Sequence, residues 1–341
     1  DAFFGCSSLK SIEVGKGNTR YTSINGVFFD KRRKTTLIKF PASKSGHYTI
    51  PDSVEIIGNF AFASCNGLTS VNIGNGVTSI GDYAFKNCSS LKSVSISGSV
   101  TSIGKEAFKG CSSLTSASIP DSVTTIGFWA FSYCESLTSV KIPDSVKSIE
   151  MYTFTGCSSL QSVTIPNSVT IIGISAFAGC SSLQSVTIPD SVTIIGMRAF
   201  EDCGNLASVT IPDKLLRIGT RAFNNSSSLK SINFEGNAPA LGSHVFKMVS
   251  NDARIFINPD AIGFGEYFGG LPVQILKRKS AIKSFNSHAA PFSLTFETES
   301  DSTYIIEASH DLKNWGEIGE VQGTGSSVKF IERRKALFPK Q

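Results

Sequence analysis

Charge, histidine and long apolar stretches are all scarce in this sequence of 341 residues. Charged residues make up 17% of it and His only 4 positions, at 47, 244, 288 and 310, far apart and without a repeated acidic partner. That spacing argues against a histidine-based catalytic or metal site. No run of eighteen apolar residues occurs, so no segment reads as a membrane span. H-E-x-x-H, G-x-S-x-G, P-loop and G-x-G-x-x-G patterns are all missing, and no C-x-x-C pair suggests a metal site, so neither an enzyme nor a cofactor is implied. The 30 Gly and 12 Pro are together about one residue in eight, too few for a collagen-like or low-complexity chain. The formal charge of +5 is unevenly placed. Residues 1–45 carry nine basic and three acidic side chains, whereas residues 46–235 carry eleven and thirteen. A nucleic-acid binder would spread a basic stripe along its main surface, so nucleic acid is not an expected partner.

What the chain does have is a register. Cys65, Cys88, Cys111, Cys134, Cys157, Cys180 and Cys203 each follow the last by 23 residues; Ser226 takes the next position and Cys6 stands outside the series. A fixed period in this range marks a solenoid. Within the unit that begins at Cys157, Leu160, Val163 and Ile165 have the spacing of a short strand with an alternating inward face. Pro166 ends that strand, because it has no N–H for a ladder. Val169 and Ile172 turn inward on a return path, Gly173 permits a bend, and Ala176-Phe177 form a short helical or 3₁₀ turn that sends a ring into the core. Each coil leaves apolar faces above and below, so it is stable only when stacked. The cysteines read either as a column of small buried thiols or as paired disulfides; the parallel direction of stacked side chains favours the first.

The phrases S-L-x-S-V-x-I-P, S-V-x-x-I-G and A-F-x-x-C resemble the BspA-type (treponemal) bacterial leucine-rich repeats, over roughly residues 1–277. Asn25-Gly26-Val27-Phe28-Phe29 followed by Thr36-Leu37-Ile38-Lys39-Phe40-Pro41 resembles that family's longer unit and reads as an inserted hairpin. The resemblance implies a right-handed β/α leucine-rich-repeat superhelix. It also implies a non-enzymatic surface or secreted protein that mediates adhesion and contact with a protein or glycan partner. The expected organisation is a solenoid over 1–279, with variant units at 1–64, regular repeats at 65–235 and a cap at 236–277. A linker at 280–291 and a partial β-sandwich-like module at 292–341 follow; the latter resembles a C-terminal module of secreted bacterial proteins. The chain opens at Asp1 inside a unit, which suggests that the native protein extends upstream.

Function is expected on outward columns that vary between units. On the strand side these are small and polar, among them Ser139, Lys141, Ser162, Thr164, Ser185 and Thr187. Such a face suits many weak hydrogen bonds, a passive spacer, a carbohydrate or even an ice surface, but it lacks aromatic and Arg anchors. Between Gly and Ala-Phe, the middle units carry Phe128, Trp129, Met151 and Tyr152, with Tyr133 nearby. Two readings stand: these side chains pack on one another over the turns, or they form an exposed contact strip. The basic run Lys31, Arg32, Arg33 and Lys34 at the hairpin tip suits an acidic glycan or a negatively charged cell surface.

Overall fold

The structure is a computed structural model; it describes residues 2–3, 5–31, 35–276, 282–286, 292–298, 300, 303–308 and 316–332. It divides into two compact units, Asp1–Gln274 and Ile275–Gln341.

The first unit is the 23-residue solenoid. Each coil contributes a front strand such as Ser93–Ser95, Ser116–Ser118 or Ser139–Lys141, and a two-residue return strand such as Ser102–Ile103 or Thr125–Ile126. Both kinds pair in parallel, Ser93 against Ser116 and Ser116 against Ser139 on the front and Ser102 against Thr125 on the return, each 23 residues apart. The alternation in S-V-T sets the outcome: the middle residue points inward and its neighbours face water, so Val163 is buried between exposed Ser162 and Thr164. After the strand, the Pro166 carbonyl accepts the Val169 N–H at 3.1 Å and closes a turn toward the return path.

The segment that delivers each phenylalanine is a chain of turns, and no helix occurs among the described residues. Ala176 donates to Gly173, Ala178 to Ser175 and Cys180 to Phe177, three residues back in each case. Helix propagation stops because Ser175 sits at φ 51°, as do its counterparts Tyr83 (59°), Trp129 (61°) and Tyr152 (61°). That left-handed conformation is costly for a side chain with a Cβ. It persists because the stack holds it: Tyr83 N–H donates to the Lys105 carbonyl of the next coil at 2.7 Å, and Tyr152 N–H to Ile174 at 2.8 Å.

The core runs the length of the stack as a file of rings from Phe40 through Phe62, Phe85, Phe108, Phe131, Phe154, Phe177, Phe200 and Phe223 to Phe246. Centroids are 4.6–5.7 Å apart. Phe62 to Phe223 in this file have no exposed surface. Removing one such ring from water contributes about 2–3 kcal/mol before entropy is counted. The cysteines are free thiols, not disulfides, and all but Cys6 are buried. Each buried thiol also donates to the phenylalanine carbonyl of the preceding coil, as Cys111 does to Phe85 at 3.1 Å and Cys157 to Phe131 at 3.2 Å. Ser226 makes the same bond to Phe200 at 3.1 Å, which explains how serine replaces cysteine there. Burial pushes the Cys157 thiol up to about 12 and the Cys134, Cys180 and Cys203 thiols well above their ordinary value.

At the N-terminal end, the expected hairpin is part of a three-stranded meander, Tyr21–Ile24, Val27–Asp30 and Thr36–Lys39. Its first turn is Asn25-Gly26, both at positive φ (51° and 75°), as a tight hairpin turn requires. Thr36–Lys39 then pairs in parallel with Ile56–Ile57 and so becomes the start of the return ladder. At the other end, Arg254–Ile257 extends the front sheet, and Tyr267–Phe268 folds antiparallel onto Leu271–Ile275 beside it.

The second unit holds a three-stranded antiparallel sheet, Ile282–Asn286, Phe292–Glu297 and Ser327–Glu332, and a two-stranded one, Thr303–Ala308 with Gly316–Gln322. Ile282–Asn286 lies within the span that the sequence suggests is a linker. Leu294, Phe296 and Tyr304 form its small buried cluster.

Candidate binding surface

The two sides of the coil present different chemistry. On the front side, Ser139, Lys141, Ser162, Thr164, Ser185 and Thr187 are all exposed. They form a plain hydroxyl array, and the Lys141–Asp121 pair at 3.8 Å is largely in solvent and stabilises little. The front ladder opens between Ser162–Thr164 and Ser185–Thr187. Both coils read S-V-T-I-P, and no side chain explains the opening.

On the turn side, some of the large residues pack on one another and others are exposed. Trp129 and Tyr152 stack with centroids 4.0 Å apart and 15° between planes. Lys109, from the preceding coil, places its ammonium 4.2 Å from the indole centroid. Trp129 is thus contacted from the coil before and the coil after. Phe60 and Tyr83 make a similar stacked pair at 4.5 Å. Phe128 and Tyr133, by contrast, are 40% and 45% exposed. Tyr133 lies over Gly156, where an added Cβ would come within 2.6 Å of the ring; Gly156 also has a φ of +73°. Phe128 shares its register position with Met151, Ile174 and Met197 of the next three coils. Met197 is again 40% exposed, and Met151 and Ile174 are half-buried.

Beside this column runs a second one that the sequence analysis missed. Ile171 and Ile194, the outward residues of their return strands, pair in register and are 40% and 37% exposed; Arg217 takes the next position, preceded by Leu216, which is 69% exposed. The signal was present, since earlier units carry Ser79, Ser102, Thr125 and Ser148 there.

Upstream of the apolar columns, Glu106 is buried among three lysines, with Lys86 at 2.8 Å, Lys109 at 3.3 Å and Lys105 at 4.0 Å. Burial would raise its pKa, but the ion pairs and hydrogen bonds to Lys86 and Lys109 outweigh it and hold the carboxyl below its ordinary value. Of the basic tip, Lys31 is exposed and its ammonium donates to the Asn18 carbonyl. Arg32, Arg33 and Lys34 lie outside the described residues. Among the described residues no group of His, Cys, Asp and Glu is placed to hold a metal ion, and no helix is long and apolar enough to cross a membrane.

A family model for the BspA type leucine-rich repeat region matches residues 42–161 and 147–268 in six copies. The chain belongs to the BspA-type leucine-rich repeat family. A leucine-rich cell surface protein from Faecalibacterium prausnitzii is 30% identical to this BspA-type chain, with a TM-score of 0.56, over 71% of this chain and 77% of that one. A leucine-rich repeat protein from Eubacterium ventriosum is 29% identical, with a TM-score of 0.53, over 59% of this chain and 55% of its own length. No curated protein matches the chain. BspA-type membership and these neighbours support a repeat scaffold of the kind found in bacterial surface proteins.

Proposed function

We propose that this BspA-type solenoid is a non-enzymatic adhesion scaffold at the bacterial surface or outside the cell, and that it binds a protein partner through its turn and return sides. The observation that carries this reading is the apolar column Phe128–Met151–Ile174–Met197 with Tyr133, flanked by Ile171 and Ile194. Solvated surfaces rarely keep so many large apolar side chains together unless something covers them. A protein suits this strip better than a glycan. Sugars stack on open aromatic faces, and Trp129 already has Lys109 and Tyr152 as neighbours. The Ser/Thr front, which lacks any anchor, then serves as a solvated spacing face.

The test is capture of the whole chain on purified extracellular-matrix proteins and on a glycan array, against a variant carrying Phe128→Ser and Met197→Ser. Capture by a protein that falls at least roughly tenfold in the variant, with an unchanged unfolding midpoint, supports the strip. Capture confined to glycans, or capture untouched by the substitutions, overturns it. A chain that captures nothing on either panel is the passive spacer.

A further inference from the structure

The coil from Cys134 to Gly156 departs from its neighbours at two places. Where they have Gly127 and Gly173 it carries Glu150, and where they have Ala130 and Ala176 it carries Thr153. The glycines at this position are required by close approach. A Cβ at Gly127 would sit 2.6 Å from the Lys105 amide nitrogen, and one at Gly173 would sit 2.7 Å from the Ile149 carbonyl oxygen. Any residue with a side chain must therefore stand away from the coil before it.

The return ladder parts at this coil. In the flanking coils, Thr124 N–H donates to Thr101 and Gly127 N–H to Ile103, both at 2.9 Å; Thr170 N–H donates to Lys147 at 2.9 Å and Gly173 N–H to Ile149 at 2.8 Å. The equivalent bonds from Lys147 to Thr124 and from Glu150 to Ile126 are not made, and Thr125–Ile126 and Ser148–Ile149 fall in separate sheets. A narrow seam, too tight to admit a water molecule, lies between them and is lined by Ile126, Val146, Ile149, Glu150, Thr153 and Phe154. The parting is one-sided. On the front, Ser116 still pairs with Ser139, and on the turn side Phe131 N–H still reaches Thr153 at 2.9 Å and Tyr133 N–H reaches Thr155 at 2.7 Å. The Trp129–Tyr152 stack spans the same two coils.

We propose that Glu150 is a built-in wedge. It divides the solenoid into two cooperative blocks, joined along the front and turn sides and strapped by Trp129 on Tyr152, that open on the return side. In a stack whose stability is a sum of nearest-neighbour interfaces, the weakened interface is where local opening begins.

Amide hydrogen exchange on the whole chain, read residue by residue by NMR, tests this. In the native protein, the Lys147 and Glu150 amides exchange at least roughly tenfold faster than Thr170 and Gly173. Glu150→Gly removes the Cβ and brings both amides to the protection of their neighbours, while Glu150→Ala keeps the Cβ and leaves them fast. Equal protection of the four amides in the native chain overturns the proposal, as does a Glu150→Gly variant that stays fast or a Glu150→Ala variant that closes as well as glycine does.

Discussion

The front and turn sides of the same coils were built from one repeat and have diverged in opposite directions. Along the front, Ser93, Ser116, Ser139, Ser162, Ser185 and Ser208 repeat one residue type through six coils. Along the turn, the same six coils carry Glu106, Trp129, Tyr152, Ser175, Arg198 and Arg221, all left-handed and each held by a bond to the following coil. A stacked coil therefore separates two demands. Its front ladder is held by backbone pairing beneath mostly small side chains, whereas its turn carries varied side chains because neighbours enforce the conformation.

Three substitutions or conditions sharpen that contrast, from the core outward. Phe131→Ala empties a site between two stacked rings and is expected to cost about 3–5 kcal/mol in chemical denaturation, well beyond any front-side change. Trp129→Ala removes the stack and the Lys109 contact but keeps the left-handed strain, for a loss of about 2 kcal/mol; Trp129→Gly relieves that strain and should be about 1 kcal/mol more stable than the alanine variant. If alanine and glycine prove equal, the conformation is not being enforced. The smallest effect is at Glu106, whose folded pKa lies below its ordinary 4.5. A depressed carboxylate contributes stability that is fully present above the unfolded value and lost as pH falls through the folded one. Thermal midpoints measured downward from pH 5 should thus fall less steeply in Glu106→Gln than in the native chain.

The repeat itself was legible because stacking writes the same residue at the same place, so Cys65 to Cys203 and the phenylalanines exposed the period directly. The hairpin was half legible. Its two apolar runs stand out, but Tyr21–Ile24, polar and short, becomes a strand only through pairing with Val27–Asp30. The turns were not legible, since nothing local marks Tyr83 or Trp129 as left-handed; the cause is an N–H bond to a coil 22 residues later. For the same reason a helical turn was expected where successive reverse turns occur. Of the candidate surface, Phe128 stands out by variation between units and Tyr133 by its nearness to that column, while Ile171 and Ile194 were overlooked because each precedes an inward isoleucine and reads as part of the core.

The column of thiols has one more consequence. Cys65 through Cys203 neither bridge one another nor face solvent, each is occupied as a donor, and their raised pKa values keep them protonated near neutrality. The seven buried thiols therefore act as packing and hydrogen-bonding groups, shielded from oxidants for as long as the coils stay closed, and Cys6 alone of the eight is exposed.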